Sequence, residues 1–117
     1  MEKEQELDLK DFKISKSALE FIVGLATTEV EGVAGLSGTI IESIKDWVAK
    51  KQLTKGIDIV FQDGIFLVSA HVMLNYGYVI GDVSRKIQTN VKDALETMTG
   101  IEVKDVDIFV DNIVFSQ

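Results

Sequence analysis

The sequence predicts an α+β fold, a two-layer sandwich of one small sheet and two main helices. Three observations point there. Asp63-Gly64 is a two-residue turn signal between two β-branched and aromatic runs, GIDIVFQ and IFLVSAHVMLN, which makes a hairpin. Apolar residues recur at helical spacing in two longer stretches, one before the hairpin and one after it. The chain closes on IEVKDVDIFVDNIVF, where Val106, Ile108 and Val110 alternate with polar residues as in a strand. The resulting order is helix, short helix, strand, strand, helix, strand. It implies a three-stranded sheet, hairpin plus C-terminal strand, with the two main helices on one face and one short helix.

Residues 1–13, MEKEQELDLKDFK, are read as a flexible charged lead-in, and residues 14–117 as a single domain. In ISKSALEFIVGLATTEVEG, Ser15 suits the N-cap, and Ile14 can staple onto Leu19 across the first turn. Ala18, Phe21, Ile22, Leu25 and Ala26 form the expected core face, and Gly32 the stop. VAGLSG is small and glycine-rich, a turn or short extended segment. TIIESIKDWVAKK repeats helical spacing with Ile40, Ile41, Ile44, Trp47 and Val48, but is short enough to need docking. Ile57, Ile59 and Phe61 point one way on the first hairpin strand, as do Phe66, Val68, Ala70, Val72 and Leu74 on the second. From Tyr78 to Thr99 the stripe is Ile80, Val83, Ile87, Val91, Ala94, Leu95 and Met98, with Gly100 placed for a left-handed C-cap. The last strand is expected beside Ile57, Ile59 and Phe61, antiparallel to them. The strand–helix–strand crossover is expected to be right-handed.

Composition narrows the function classes. A chain of 117 residues, 46% hydrophobic, can bury a core. Its net charge of −7 argues against free nucleic acid or an anionic lipid surface as ligand, since both require clustered Lys and Arg. Without cysteine there is no disulfide, zinc-thiolate or thiol chemistry. The first residues lack an apolar signal core, and no apolar run reaches the roughly 18–20 residues of a membrane helix. The expectation is a cytoplasmic protein that reaches a membrane only peripherally, through a partner.

NYGYVIGDVSRK, after the second hairpin strand, invites a phosphate-site reading. A P-loop needs G-x-x-x-x-G-K-[ST], however, and here Gly77 and Gly81 are four apart with Asp82 following. A carboxylate beside a helix N-terminus takes the favourable dipole position and repels phosphate. His71, the only histidine, has no sequence neighbour to complete a triad or a metal set. Asp105, Asp107 and Asp111 match the wet face of a strand better than a calcium loop. Gly32-Val-Ala-Gly35 spells G-x-x-G without the positive charge an RNA clamp needs. No catalytic, cofactor or metal residues are assigned, and no enzyme is expected.

The second face of the sheet is the informative feature. Removing the core-facing set leaves Asp58, Val60, Ile65, Leu67, Ser69, His71, Met73, Asp107, Phe109 and Asp111. A solvated face would be more polar. Either the helix of residues 40–50 covers it or another chain does. Val60, Leu67, Met73 and Phe109, with Trp47, are the candidate interaction residues.

EVEGVAGLSG, KGIDIVFQDG, NYGYVIGDVSRKIQTNVKDALETMTG and IEVKDVDIFVDNIVF together resemble the alkaline-shock protein family, the envelope stress response family of Gram-positive and related bacteria. The most specific piece is Tyr76-Gly77, Val83, Ile87-Gln88, Val91, Ala94, Glu96 and Met98 to Gly100. Many members resemble YG-x-x-I-P-E at the start of this helix, where this chain has Gly81-Asp82. The resemblance implies a non-enzymatic interaction or scaffold module in cell-envelope homeostasis, with a protein partner that is membrane-anchored in some members, or a homo-oligomer. Alternatives are a regulatory accessory subunit of a lipid or fatty-acid metabolism enzyme and, more remotely, a nucleic-acid-binding module. The family implies no cofactor and no catalytic residues to transfer.

Overall fold

The computed structural model describes residues 5–38 and 54–115. The short helix expected over residues 40–50, with Trp47, lies outside them. In chain order the elements are β1 (Glu6–Asp8), β2 (Lys13–Ser15), α1 (Lys16–Thr28), β3 (Val33–Leu36), β4 (Ile57–Gln62), β5 (Ile65–Asn75), α2 (Ile80–Thr99) and β6 (Val103–Val114).

The segment read as a lead-in contributes to the fold. β1 pairs antiparallel with β2, from Glu6 opposite Ser15 to Asp8 opposite Lys13. Leu9, in the connecting turn, is only 4% exposed and belongs to the core. Its N–H donates to the Phe12 carbonyl at 2.9 Å, and the Asp8 carboxylate accepts from the Lys10 N–H at 3.0 Å. Charge hides the signal: Leu7 and Leu9 alternate with acids and lysines.

β2 runs directly into α1, which is capped as expected, the Ala18 N–H donating to Ser15 Oγ at 3.1 Å. The buried face differs from the expected one. Leu19, Val23, Ala26 and Thr27 point inward, whereas Leu25 is exposed and Phe21 and Ile22 are half-buried. So many apolar residues ring this helix that spacing alone leaves its rotation open. Thr27 tolerates full burial because its hydroxyl donates to the Val23 carbonyl at 2.8 Å. The helix ends at Thr28, before Gly32, with Glu29 as C-cap.

Among the described residues the main sheet has four strands, not three. β5 pairs β4 antiparallel through a hairpin whose turn residues Asp63 and Gly64 have φ of 55° and 79°, the two positive values of a type I′ turn. VAGL, expected as a turn or short extended segment, forms the added strand β3, antiparallel to β5 with Leu36 opposite Val72. β6 is parallel to β5 along its length, from Val103 opposite Phe66 to Val114 opposite Asn75. The sequence places it beside β4 and antiparallel, and the structure corrects both points. The β5–α2–β6 unit accounts for the difference, because a helical crossover returns the chain in the same direction. β6 occupies one edge of β5, so β3 and β4 share the other, end to end.

The helices lie over one face of this sheet. Phe66, Val68, Ala70, Val72 and Leu74 of β5, Ile57 and Ile59 of β4 and Val103 of β6 are buried in one core with Leu19, Val23 and Ala26 of α1 and Val83, Ile87, Val91 and Leu95 of α2. Ile80 and Met98, at the two ends of the expected stripe, are exposed. Asn90 Nδ2 of α2 donates to the Ala26 carbonyl of α1 at 2.8 Å, tying the helices together. Gly100 caps α2 at φ 73°, its N–H donating to the Glu96 carbonyl at 2.8 Å.

Two stability measurements check these assignments. A Cβ at Gly100 would meet open space, so the cost of Gly100→Val is conformational, about 1–2 kcal/mol and several degrees of Tm; an unchanged Tm would contradict the left-handed cap. Leu9→Ala removes a buried side chain and is expected to cost about 2–5 kcal/mol; a cost below about 0.5 kcal/mol, the level of an ordinary surface substitution, would show that the turn does not contribute to the core.

Candidate functional site

Side chains on a strand alternate in direction, so the register fixes the second face row by row. Val60 of β4 sits opposite Leu67 of β5, and Asp105 of β6 completes that row. The next row is Asp58, Ser69 and Asp107. Beyond it His71 pairs with Phe109, and then Met73 lies opposite Gly35 of β3 and Asn112 of β6. Neighbouring strands are about 4.8 Å apart, so the face is a small lattice of alternating apolar and acidic positions.

The expected interaction residues share this face but are not equivalent. Val60 and Phe109 are 41% and 46% exposed, Leu67 is half-buried, and Met73 is buried at 8%. Val60 and Leu67 form one apolar spot, Phe109 another with His71, and the Asp58–Ser69–Asp107 row separates them. Trp47 lies outside the described residues.

Around Phe109 the structure assembles a group that the sequence scatters. The His71 and Phe109 rings stack, centroids 4.6 Å apart and planes 13° from parallel. Asp111 Oδ2 accepts from Ser37 Oγ at 2.8 Å and lies 3.1 Å from His71 Nδ1. The Ser37 N–H donates to the His71 carbonyl, and the His71 N–H to that of Gly56, both at 2.8 Å. Sequence reasoning misses Ser37 because it lies in a glycine-rich segment far along the chain from its partners. The types Ser, His and Asp meet here, but in the wrong order for a triad. A nucleophilic serine delivers its proton to the imidazole, which the carboxylate orients from the far side. Here the carboxylate stands between the other two, so the serine is not activated, and the group orients the His71 ring that stacks on Phe109. Both members of the His71–Asp111 pair are half-exposed, so the pair itself contributes no more than about 1 kcal/mol.

The other segments singled out from the sequence resolve as follows. Gly77 turns the chain at φ 106°, with open space where a Cβ would stand. Val79 precedes α2 without a side-chain cap, and Asp82 in the first turn is bound to Arg85 at 2.6 Å. A Cβ at Gly81 would come nearest the Arg85 guanidinium, at 3.4 Å, the end of a flexible side chain. The adjoining cavity of about 560 Å³ is lined by Glu29, Glu31 and Asp82 as well as Arg85 and Lys86, an unfavourable cradle for a polyphosphate. Among the described residues no group of three or more His, Cys, Asp or Glu could hold a metal ion, and no helix is long and apolar enough to cross a membrane.

Calorimetry with ATP or NAD is therefore expected to give no binding at micromolar concentrations, because Asp82 rather than a lysine occupies the start of α2. Micromolar affinity that disappears on mutating Gly77 would establish the opposite.

The chain has recognisable relatives. The model of the alkaline shock protein 23 family, described as having a cell envelope-related function, matches residues 4–115. The uncharacterized protein Spy1535 of Streptococcus pyogenes serotype M6 is 37% identical over 102 residues, 86% of this chain and 77% of that protein. The uncharacterized protein YqhY of Bacillus subtilis strain 168 is 24% identical over 111 residues, 95% of this chain and 82% of that one. Among solved structures, a MamM CTD aligns with 81% of this chain and 93% of its own at 9% identity and a TM-score of 0.49. The resemblance carried by Tyr76-Gly77 through Gly100 is thus shown over most of the sequence, and the chain belongs to the alkaline shock protein family of cell envelope-related proteins.

Proposed function

We propose that this protein is a non-enzymatic interaction or scaffold module of cell-envelope homeostasis, cytoplasmic and brought to the membrane by a protein partner. The single observation behind this reading is the second sheet face. It presents Val60 and Phe109 to solvent between the acids Asp58, Asp105, Asp107 and Asp111, opposite the face that packs against the helices. Apolar spots ringed by charge suit a reversible protein interface, with an aromatic as the main contributor. The Ser37–Asp111–His71 group supports the same reading, since it positions Phe109 and activates nothing. The cell-envelope context comes from the family.

Phe109→Asp tests the proposal. Phe109 is 46% exposed, so the variant is expected to fold and to lose less than about 1–2 kcal/mol of stability. In cells lacking the native protein it should fail to restore resistance to alkaline and cell-wall stress, while Lys86→Ala on the opposite layer restores it. Crosslinking should show the partner lost from the Phe109 variant alone. Full complementation with unchanged crosslinks would overturn the assignment of this face.

A further inference from the structure

Among the described residues β6 is an edge strand, and its outer row of backbone groups divides into two halves. In the ladder, the Phe66 N–H donates to the Glu102 carbonyl and the Tyr76 N–H to that of Val114, so the even-numbered residues of β5 face β6. With the observed register and its two shifts, Asp105, Asp107, Phe109, Asp111, Asn112 and Val114 of β6 face β5. Val103, Val106, Ile108, Val110 and Ile113 direct their backbone groups outward. Side chains of α2 satisfy the first of these. Glu96 accepts from the Val103 N–H at 2.9 Å, Lys92 Nζ lies 3.4 Å from the Val103 carbonyl, and Gln88 donates to the Val106 carbonyl at 3.0 Å. No comparable side-chain bond reaches Ile108, Val110 or Ile113 from the described residues.

We infer that the open half of this edge, at Ile108, Val110 and Ile113, accepts a basic extended segment of a partner protein as an added strand. An unpaired edge is a template for another strand, and main-chain bonds supply the affinity in such additions. The side chains select the occupant. Asp107 and Asp111 stand on the second face of β6 beside the open half, with Asp105 one row further along. A strand laid against β6 places its alternate side chains directly beside these carboxylates, where opposite charges attract and like charges repel. A second copy of this chain, itself at −7, is disfavoured, whereas lysine or arginine at alternate positions fits. The inference rests on the reading of the protein as an interaction module and adds where and by what chemistry a partner joins.

Amide hydrogen exchange on the full chain tests it, with a short peptide alternating lysine and valine as probe and its glutamate counterpart as control. Alone, the amides of Ile108, Val110 and Ile113 should exchange rapidly. At about ten times the Kd of the lysine peptide they should slow roughly tenfold, and the glutamate peptide should leave them unchanged. Val110→Pro removes one outward N–H at a position where an edge strand tolerates proline, and should abolish the slowing. Should that variant not fold, Asp105→Lys with Asp107→Lys serves instead, with preference expected to pass to the glutamate peptide. Three results would overturn the inference: slow exchange at the three amides without peptide, concentration-dependent slowing without peptide, which is self-pairing, or equal slowing by both peptides. None of these bears on Phe109, so the edge can fail while the interaction face stands.

Discussion

The structure depends on β5 having both edges filled. Its eleven residues take β6 in parallel along one edge and β4 followed by β3 along the other. A strand in this position must alternate strictly, because each residue's backbone is committed to one side and its side chain to one face. The even-numbered residues from Phe66 to Leu74 meet the helices and are essentially dry. Ile65, Leu67, Ser69 and His71 face the other way and are only partly buried. A one-residue slip would bring Ser69 and His71 into the core and expel Ala70 and Val72, so the register is specified by hydrophobic burial as well as by the Asp63-Gly64 turn.

Satisfying the central strand leaves the polar groups of the periphery to be met individually, and α2 meets several of them. Its buried stripe of Val83, Ile87, Val91 and Leu95 roofs the sheet. Asn90 reaches the end of α1, while Gln88, Lys92 and Glu96 reach down to the β6 backbone. One helix thus contributes a core face and two polar flanks. The pattern explains why residues off the apolar stripe of this helix have fixed partners although they lie near the surface.

How much of this is legible in the sequence follows the range of the interactions. The Ser15 cap, the Asp63-Gly64 turn, the centre of the α2 stripe from Val83 to Leu95 and the Gly100 cap are local, each decided within a few residues, and each is found where the sequence places it, while Ile80 and Met98 at the ends of that stripe are exposed. The rotation of α1 is not legible, because Leu19 and Val23 compete with Phe21 and Leu25 and only packing against the sheet chooses between them. Nor is the neighbour of β6, which is settled by the whole β5–α2–β6 path rather than by β6 itself. The face carrying Val60, Leu67 and Phe109 is legible from period-two alternation. The grouping of Ser37, His71 and Asp111 is not, since it joins residues from three separate strands and loops.

β6 shows how one strand sustains unlike roles at little cost. Toward the helices it offers Val106, Ile108 and Val110, partly buried against the core. Toward the second face it offers Asp105, Asp107, Phe109 and Asp111. Asp58 and Asp107 lie on strands about 9.6 Å apart across Ser69, and in water two like charges at that distance repel by only about 0.4 kcal/mol. Summed over the face, this is a mild burden on a fold held by a dry core on the other side. The same carboxylates discourage another acidic edge from pairing with β6, which is a common protection of exposed edges. Repulsion and selectivity are then one physical effect read with opposite signs. A charge pattern in which each such pair costs the isolated chain only a fraction of a kcal/mol keeps the edge from its own kind and leaves it open to a positively charged strand.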